Sequence, residues 1–334
     1  MIGGHDPMAM PAPPQILLFL LGLTFVLHLT MLGLLFASLW ARAGAEWGRP
    51  AGYDTQRVHR AGVVGMSMTI TMGVPPLLFV QVLYGKYFYA SSISIGFPWL
   101  AIVGYLLVGF YAMYWAQWAW MRHQGPSWTG KLSWLLTVLC VIAIGFTYSW
   151  NHLKSLSATP WTHDVFRPDA LLRLSGYFGA ALIGSAAWAS WLGGNWRVDH
   201  RLPRGTGIAA LVGGAGLLIW TLISDYASSG VFVIDRPLQM IAAFTSLVAG
   251  ALVVANRGGG LTRWLLTIGA PLGMLGLLVQ RETWRLAALG PLHSPFAETA
   301  RTQWSAVALF AATFILGLGV LLWLLSQIRR LRPR

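Results

Sequence analysis

Nine apolar runs, each about as long as a bilayer is thick, constrain this chain more than any other feature. Bilayer hydrocarbon is ~30 Å deep and takes about 20 residues of helix to cross. Runs of that kind lie at 15–41, 62–84, 98–121, 132–150, 170–194, 206–224, 237–255, 263–281 and 304–328. No soluble domain, low-complexity tract or internal repeat interrupts the series. Residues 1–334 therefore read as a single membrane domain, an all-α, polytopic bundle of nine transmembrane helices. The composition agrees, with 56% hydrophobic and only 10% charged residues, where a soluble domain carries roughly a quarter charged. The 18 Trp, 10 Tyr and 15 Phe also exclude a disordered chain, because disorder requires few aromatics and much charge.

Met1 to Pro14 contain no Lys or Arg, and the apolar run that follows is too long for a signal peptide, so it reads as a retained first span. With nine spans the two ends face opposite sides. Fifteen of the 23 Lys and Arg, with three acids, fall in connections on the C-terminal side, a net +12. The other side holds eight bases and seven acids, a net +1. By the positive-inside rule the N-terminus is expected outside and the C-terminus in the cytoplasm, with the chain in the cell's inner, cytoplasmic membrane. The net charge of +13 is then topology rather than a nucleic-acid surface, which would need a continuous basic stripe.

Polar groups inside apolar spans carry the functional reading, because each costs several kcal/mol unless satisfied. His28 sits near the middle of the first span. A neutral imidazole there can ligate haem iron through one nitrogen while the other holds a supporting partner, or it can simply hydrogen-bond a neighbouring helix. Gln81 follows the pair Pro75-Pro76, which is expected to interrupt its helix and free backbone carbonyls. The eighth span ends Gln280-Arg281-Glu282-Thr-Trp-Arg285, a cluster that suits either an interfacial charge patch or the cap of a haem propionate or quinol pocket. His152 and His163, and His59, His123 and His200 on the other side, read as solvated loop residues. The only cysteine, Cys140, lies within a span, and no C-x-x-C-H occurs, so any haem would be non-covalent.

Several of these strings resemble subunit I of the cytochrome bd quinol oxidases. The second span and the residues after it read Gly73-Val74, Gln81, Tyr84-Gly85, Ser92 and Gly96, at the offsets of that family's Gly-Val, Glu, Phe-Gly, Ser and Gly. Ser149-Trp150-Asn151, Pro168-x-Ala170-x-x-Arg173-Leu174 and Glu282-x-x-Arg285 are similar to further family strings in the same order. The resemblance implies the nine-span scaffold and one or two b-type haems, possible contact with membrane quinone, and a place in a respiratory electron-transfer complex with other membrane subunits or c-type cytochromes. It implies His28 and Glu282 as iron ligands, with Arg281, Arg285 and Met240 among the cofactor-holding residues. Glu282, Arg285 and Gln81 become the candidates for the chemistry.

Departures from the family lie at its chemically active positions. Gln81 stands where the family has a titrating glutamate, and Gly176 where it has a haem-ligating histidine. The segment Asp225 to Asp235 replaces a long quinol-binding loop. These changes keep a second reading open, a haem-free scaffold that anchors periplasmic cytochromes or another complex. A third, a secondary transporter, would need inverted repeats or broken helices about a midplane site. Only Pro75-Pro76 speaks for it.

Overall fold

A computed structural model describes residues 10–47, 55–123, 125–156, 169–192, 204–224, 235–293 and 302–331. Nine helices account for nearly all of these: α1 (Pro14–Glu46), α2 (Thr55–Ile95), α3 (Phe97–His123), α4 (Trp128–Ser155), α5 (Asp169–Leu192), α6 (Arg204–Ile223), α7 (Asp235–Val254), α8 (Gly260–His293) and α9 (Trp304–Leu331). Each contains a segment long and apolar enough to cross a membrane. Among the described residues the only extended pairing is one bridge between Met10 and Thr302.

Packing follows from which face of each helix is apolar and small. Phe25, Leu29, Leu32 and Leu35 of α1 meet Ile183 of α5, Leu217 and Trp220 of α6, and Met274 and Leu277 of α8 in one buried core. Helices α5, α6, α7 and α8 pack in sequence, α1 lies against α2 and α5, and α3 pairs with α4. Glycines allow the closest approaches. A Cβ on Gly33 would lie 3.0 Å from the carbonyl carbon of Gly184, and one on Gly179 2.8 Å from the oxygen of Gly213. Backbones this close are the usual way helices associate where hydrocarbon removes the hydrophobic drive. Large apolar side chains such as Phe19, Leu100, Trp128 and Ile268 instead point outward. Such a surface suits a multi-pass membrane protein, for which lipid rather than water is the neighbour. Helix α9 is exposed along most of its length.

All nine expected spans are present as helices, but four run well past their expected ends, α1 among them, which continues to Glu46. Helix α2 continues to Ile95, α4 to Ser155 and α8 to His293. Hydropathy falls where polar residues begin, whereas a helix persists for as long as those polar groups find partners. The proline pair is also absorbed: α2 passes through Pro75 and Pro76, and its non-helical residue is Tyr84 (φ −135°, ψ 27°). Between α2 and α3 only Gly96 intervenes, at φ +65°. That left-handed conformation costs glycine little and lets the chain turn without a loop.

Candidate functional site

Polar residues of α2, α4, α5 and α8 gather at the end of the bundle where α1 begins. Glu282 is the hub. Its Oε1 accepts from Arg281 Nε at 2.9 Å, and Arg285 Nη1 donates to both carboxylate oxygens at 2.9 Å. Tyr84 Oη donates to Oε2 at 3.1 Å from α2, where the non-helical backbone occurs. The Arg285 guanidinium also stacks on the Tyr84 ring, 4.4 Å from its centroid. Its Nη2 lies 3.0 Å from Nδ1 of His152 on α4. An arginine can only donate, so Nδ1 is the acceptor and a neutral His152 carries its proton on Nε2.

Aromatic rings extend the cluster towards α5. Arg281 lies over Phe25, 4.2 Å from the ring centroid, and Phe25 meets Tyr177 edge-on at 6.0 Å. Arg173 in turn stacks 5.0 Å from the Tyr177 ring and donates to its hydroxyl at 2.8 Å. Nearby, Asn151 donates to Ser92 at 2.9 Å. Tyr84, Ser92, Asn151, Arg173, Glu282 and Arg285, all drawn from the strings that carried the resemblance, thus lie at one end of the fold.

A second polar network joins α6, α7 and α8. Trp220 Nε1 donates to Gln280 Oε1 at 2.8 Å, and Gln239 Nε2 donates to the same oxygen at 3.2 Å. Thr221 donates to Gln239 Oε1 at 2.8 Å, and Gln280 Nε2 to Ser224 Oγ at 3.0 Å. All five residues are buried. Such a network is worth its desolvation only when every member is satisfied.

The expected candidates fall into three groups. Arg281, Glu282 and Arg285 come together. His28 stays in the middle of the bundle, one helical turn from Phe25, with its Nδ1 donating to the carbonyl of Thr69 at 2.9 Å and its ring against Gly73. Gln81 and Met240 are not joined to the cluster by any described contact. Gln81 meets Tyr89 at 3.4 Å on the exposed side of α2, and on α7 it is Gln239, beside half-buried Met240, that reaches α8.

Sequence reasoning missed His152, Arg42 and Glu46. His152 was expected in a solvated loop, yet it is buried in the last turns of α4 against Arg285. Arg42 and Glu46 were counted among cytoplasmic loop charges but are buried at the far end of α1. As an opposite pair they leave the charge asymmetry unchanged. Their spacing of four was the available signal, since i, i+4 acid–base pairs face each other on a helix. His123 is exposed at the end of α3, whereas His163, His200 and residues 225–234 lie outside the described residues, as does the side chain of His59.

Glu282, one of the two iron ligands that the resemblance implies, has protein partners here. Both oxygens of Glu282 are already engaged by two arginines and a tyrosine. A side chain at position 176 has no room, because a Cβ there would lie 2.5 Å from Cγ and Cδ1 of Trp220. Only His28 keeps a ligand's arrangement, one imidazole nitrogen fixed by a carbonyl and the other uncommitted by that bond. No known protein family, characterised protein or solved structure matches the chain.

Proposed function

We propose that this chain is a haem-free subunit of the cytoplasmic membrane, built on a scaffold like that of bd oxidase subunit I, which anchors a periplasmic cytochrome or another electron-transfer partner. The observation that carries the reading is the Trp220 indole standing in the space beside Gly176. The position that would hold a low-spin haem ligand is filled by a ring that is itself hydrogen-bonded to Gln280. Glu282 supports the same reading, since its charge is balanced by protein groups and needs no iron. The test is a reduced-minus-oxidised optical spectrum and haem assay of the full chain purified in detergent. No haem bands are expected, and stoichiometric haem would overturn the proposal.

One observation favours a second reading, a single b-type haem passing electrons between membrane quinol and another redox centre or oxygen. The Nδ1 of His28 is anchored to Thr69, the support that orients a ligating imidazole. This reading predicts haem bands that disappear in His28→Ala while the variant remains folded.

A further inference from the structure

We propose that the turn between α3 and α4 docks the headgroups of anionic phospholipids, through Arg122 and Lys131 held on exposed tryptophan rings. The first observation is how cations are stacked at the two ends of the bundle. Where α1, α3 and α5 finish and α4 and α8 begin, Arg122 lies over Trp118 at 5.1 Å, Lys131 over Trp47 at 5.7 Å and Arg263 over Trp191 at 4.9 Å. All three indoles are exposed, as are Trp128 and Trp264 at the same end. At the other end Arg173, Arg281 and Arg285 stack on Tyr177, Phe25 and Tyr84. The donors without a hydrogen-bond partner there, Arg173 Nη1 and Arg281 Nη2, are buried. One end turns its stacked cations inward and the other turns them out.

The second observation is how the outward pairs are built. Arg122 follows Trp118 by four residues, so one turn of α3 brings them together. Lys131 and Trp47 come from different helices. Trp47 meets Trp134 edge-on with centroids 5.3 Å apart, and the Trp134 indole donates to the carbonyl of Leu39 at 2.8 Å. The platform under Lys131 is thus fixed by α1 and α4 together. Tryptophan settles at headgroup depth in a bilayer, its apolar body towards the acyl chains. A cation stacked on it is held at that depth, and the stack leaves its N–H donors to a phosphate.

The third observation is charge. Among the described residues neither Arg122 nor Lys131 is paired with an acid. Glu46, which reaches the same turn, is buried, with Arg42 Nε 3.8 Å from its Oε1 and the Ser127 N–H bonded to its Oε2. The sequence puts two further acids on this side, Asp54 and Asp199, against fourteen bases besides Arg42. Wherever those two acids lie, the surface stays positive. Bases at headgroup depth on a positive surface select anionic over neutral lipid.

The experiment uses the full chain in detergent and follows thermal unfolding with added phosphatidylglycerol or phosphatidylcholine. Phosphatidylglycerol should raise Tm at the lower concentration, and added salt should shrink the difference, because exposed charges are screened. Arg122→Gln and Lys131→Gln should each raise the phosphatidylglycerol concentration for half of the effect roughly fivefold, the worth of one base near an anionic surface. Arg122→Lys keeps the charge and should keep most of the response, and Lys86→Gln, at the other end, should change nothing. The lipid-free Tm of each variant shows that it is folded. Equal responses to the two lipids, an undiminished response when Arg122→Gln and Lys131→Gln are combined, or an equal loss in Lys86→Gln would overturn the proposal. Native mass spectrometry gives an independent readout: wild type should retain phosphatidylglycerol over phosphatidylcholine through delipidation, and the combined variant should not. A wild type without that preference also overturns it.

Discussion

Trp220 occupies the space that any side chain at position 176 would need. A Cβ on Gly176 would lie 2.5 Å from Cγ and Cδ1 of the indole and 3.0 Å from its Cβ. The ring cannot retreat freely, because its Nε1 is bonded to Gln280 and its other side meets Trp284 with centroids 5.6 Å apart. One glycine on α5 therefore lets α6 deliver a tryptophan into the polar network of α7 and α8.

Gly176→Ala should destabilise the protein by about 1–3 kcal/mol, the usual cost of overpacking a closed core. Thermal unfolding in detergent measures it. Trp220→Ala should make Gly176→Ala nearly neutral, because the clash is with the indole itself. A full penalty for Gly176→Ala in the Trp220→Ala background would exclude this account.

Glu282→Gln should be more damaging than Tyr84→Phe. The first removes the one carboxylate bonded to Arg281 and Arg285 among the described residues and leaves their charges opposed, with a cost of about 2–4 kcal/mol after allowing for partial exposure. The second removes one hydrogen bond, about 0.5–1.5 kcal/mol. A double-mutant cycle monitored by unfolding should give a clear coupling between the two. Additive effects would mean that the Tyr84–Glu282 bond contributes nothing.

At the opposite end Ser127 is the N-cap of α4, its Oγ accepting from the N–H of Gly130, and Glu46 braces that cap. Glu46 Oε2 accepts from the backbone N–H of Ser127 at 3.1 Å, while Arg42 donates to the carbonyl of Gly130 at 2.9 Å. A Cβ on Gly130 would collide with the Glu46 carboxylate. Gly130→Ala should therefore cost about as much as removing the brace and its buried charge pair, roughly 2–4 kcal/mol. In the Glu46→Ala background it should cost far less. Unfolding midpoints of the two single variants and the double variant decide the point.

Gly73→Ala should displace His28, since the new methyl would lie 2.9 Å from Cε1 and 3.0 Å from Nδ1. The loss includes the bond to Thr69, about 1 kcal/mol, together with strain of similar size. His28→Ala should suppress the effect of Gly73→Ala. If both variants destabilise additively, the imidazole does not rest against α2 as described.

The number and approximate position of the helices were legible in the sequence, because hydropathy and chain length are local properties and nine long apolar runs leave few alternatives. The Arg281, Glu282 and Arg285 cluster was legible for the same reason, its members being neighbours on one helix. Its partners were not. Tyr84 is 198 residues from Glu282, and His152 is 133 from Arg285. Nothing in a local window announces that a histidine beyond an apolar run will be helical and buried. Glycines were equally mute: Gly176, Gly73 and Gly130 acquire meaning only from Trp220, His28 and Glu46 brought against them by other helices. The sequence by itself thus determined an all-helical chain suited to a bilayer, since the cost of exposing backbone and apolar surface depends on composition along the chain. Only the tertiary structure decided which charges are compensated, which donors are orphaned and which space is already filled, because those depend on distances between helices.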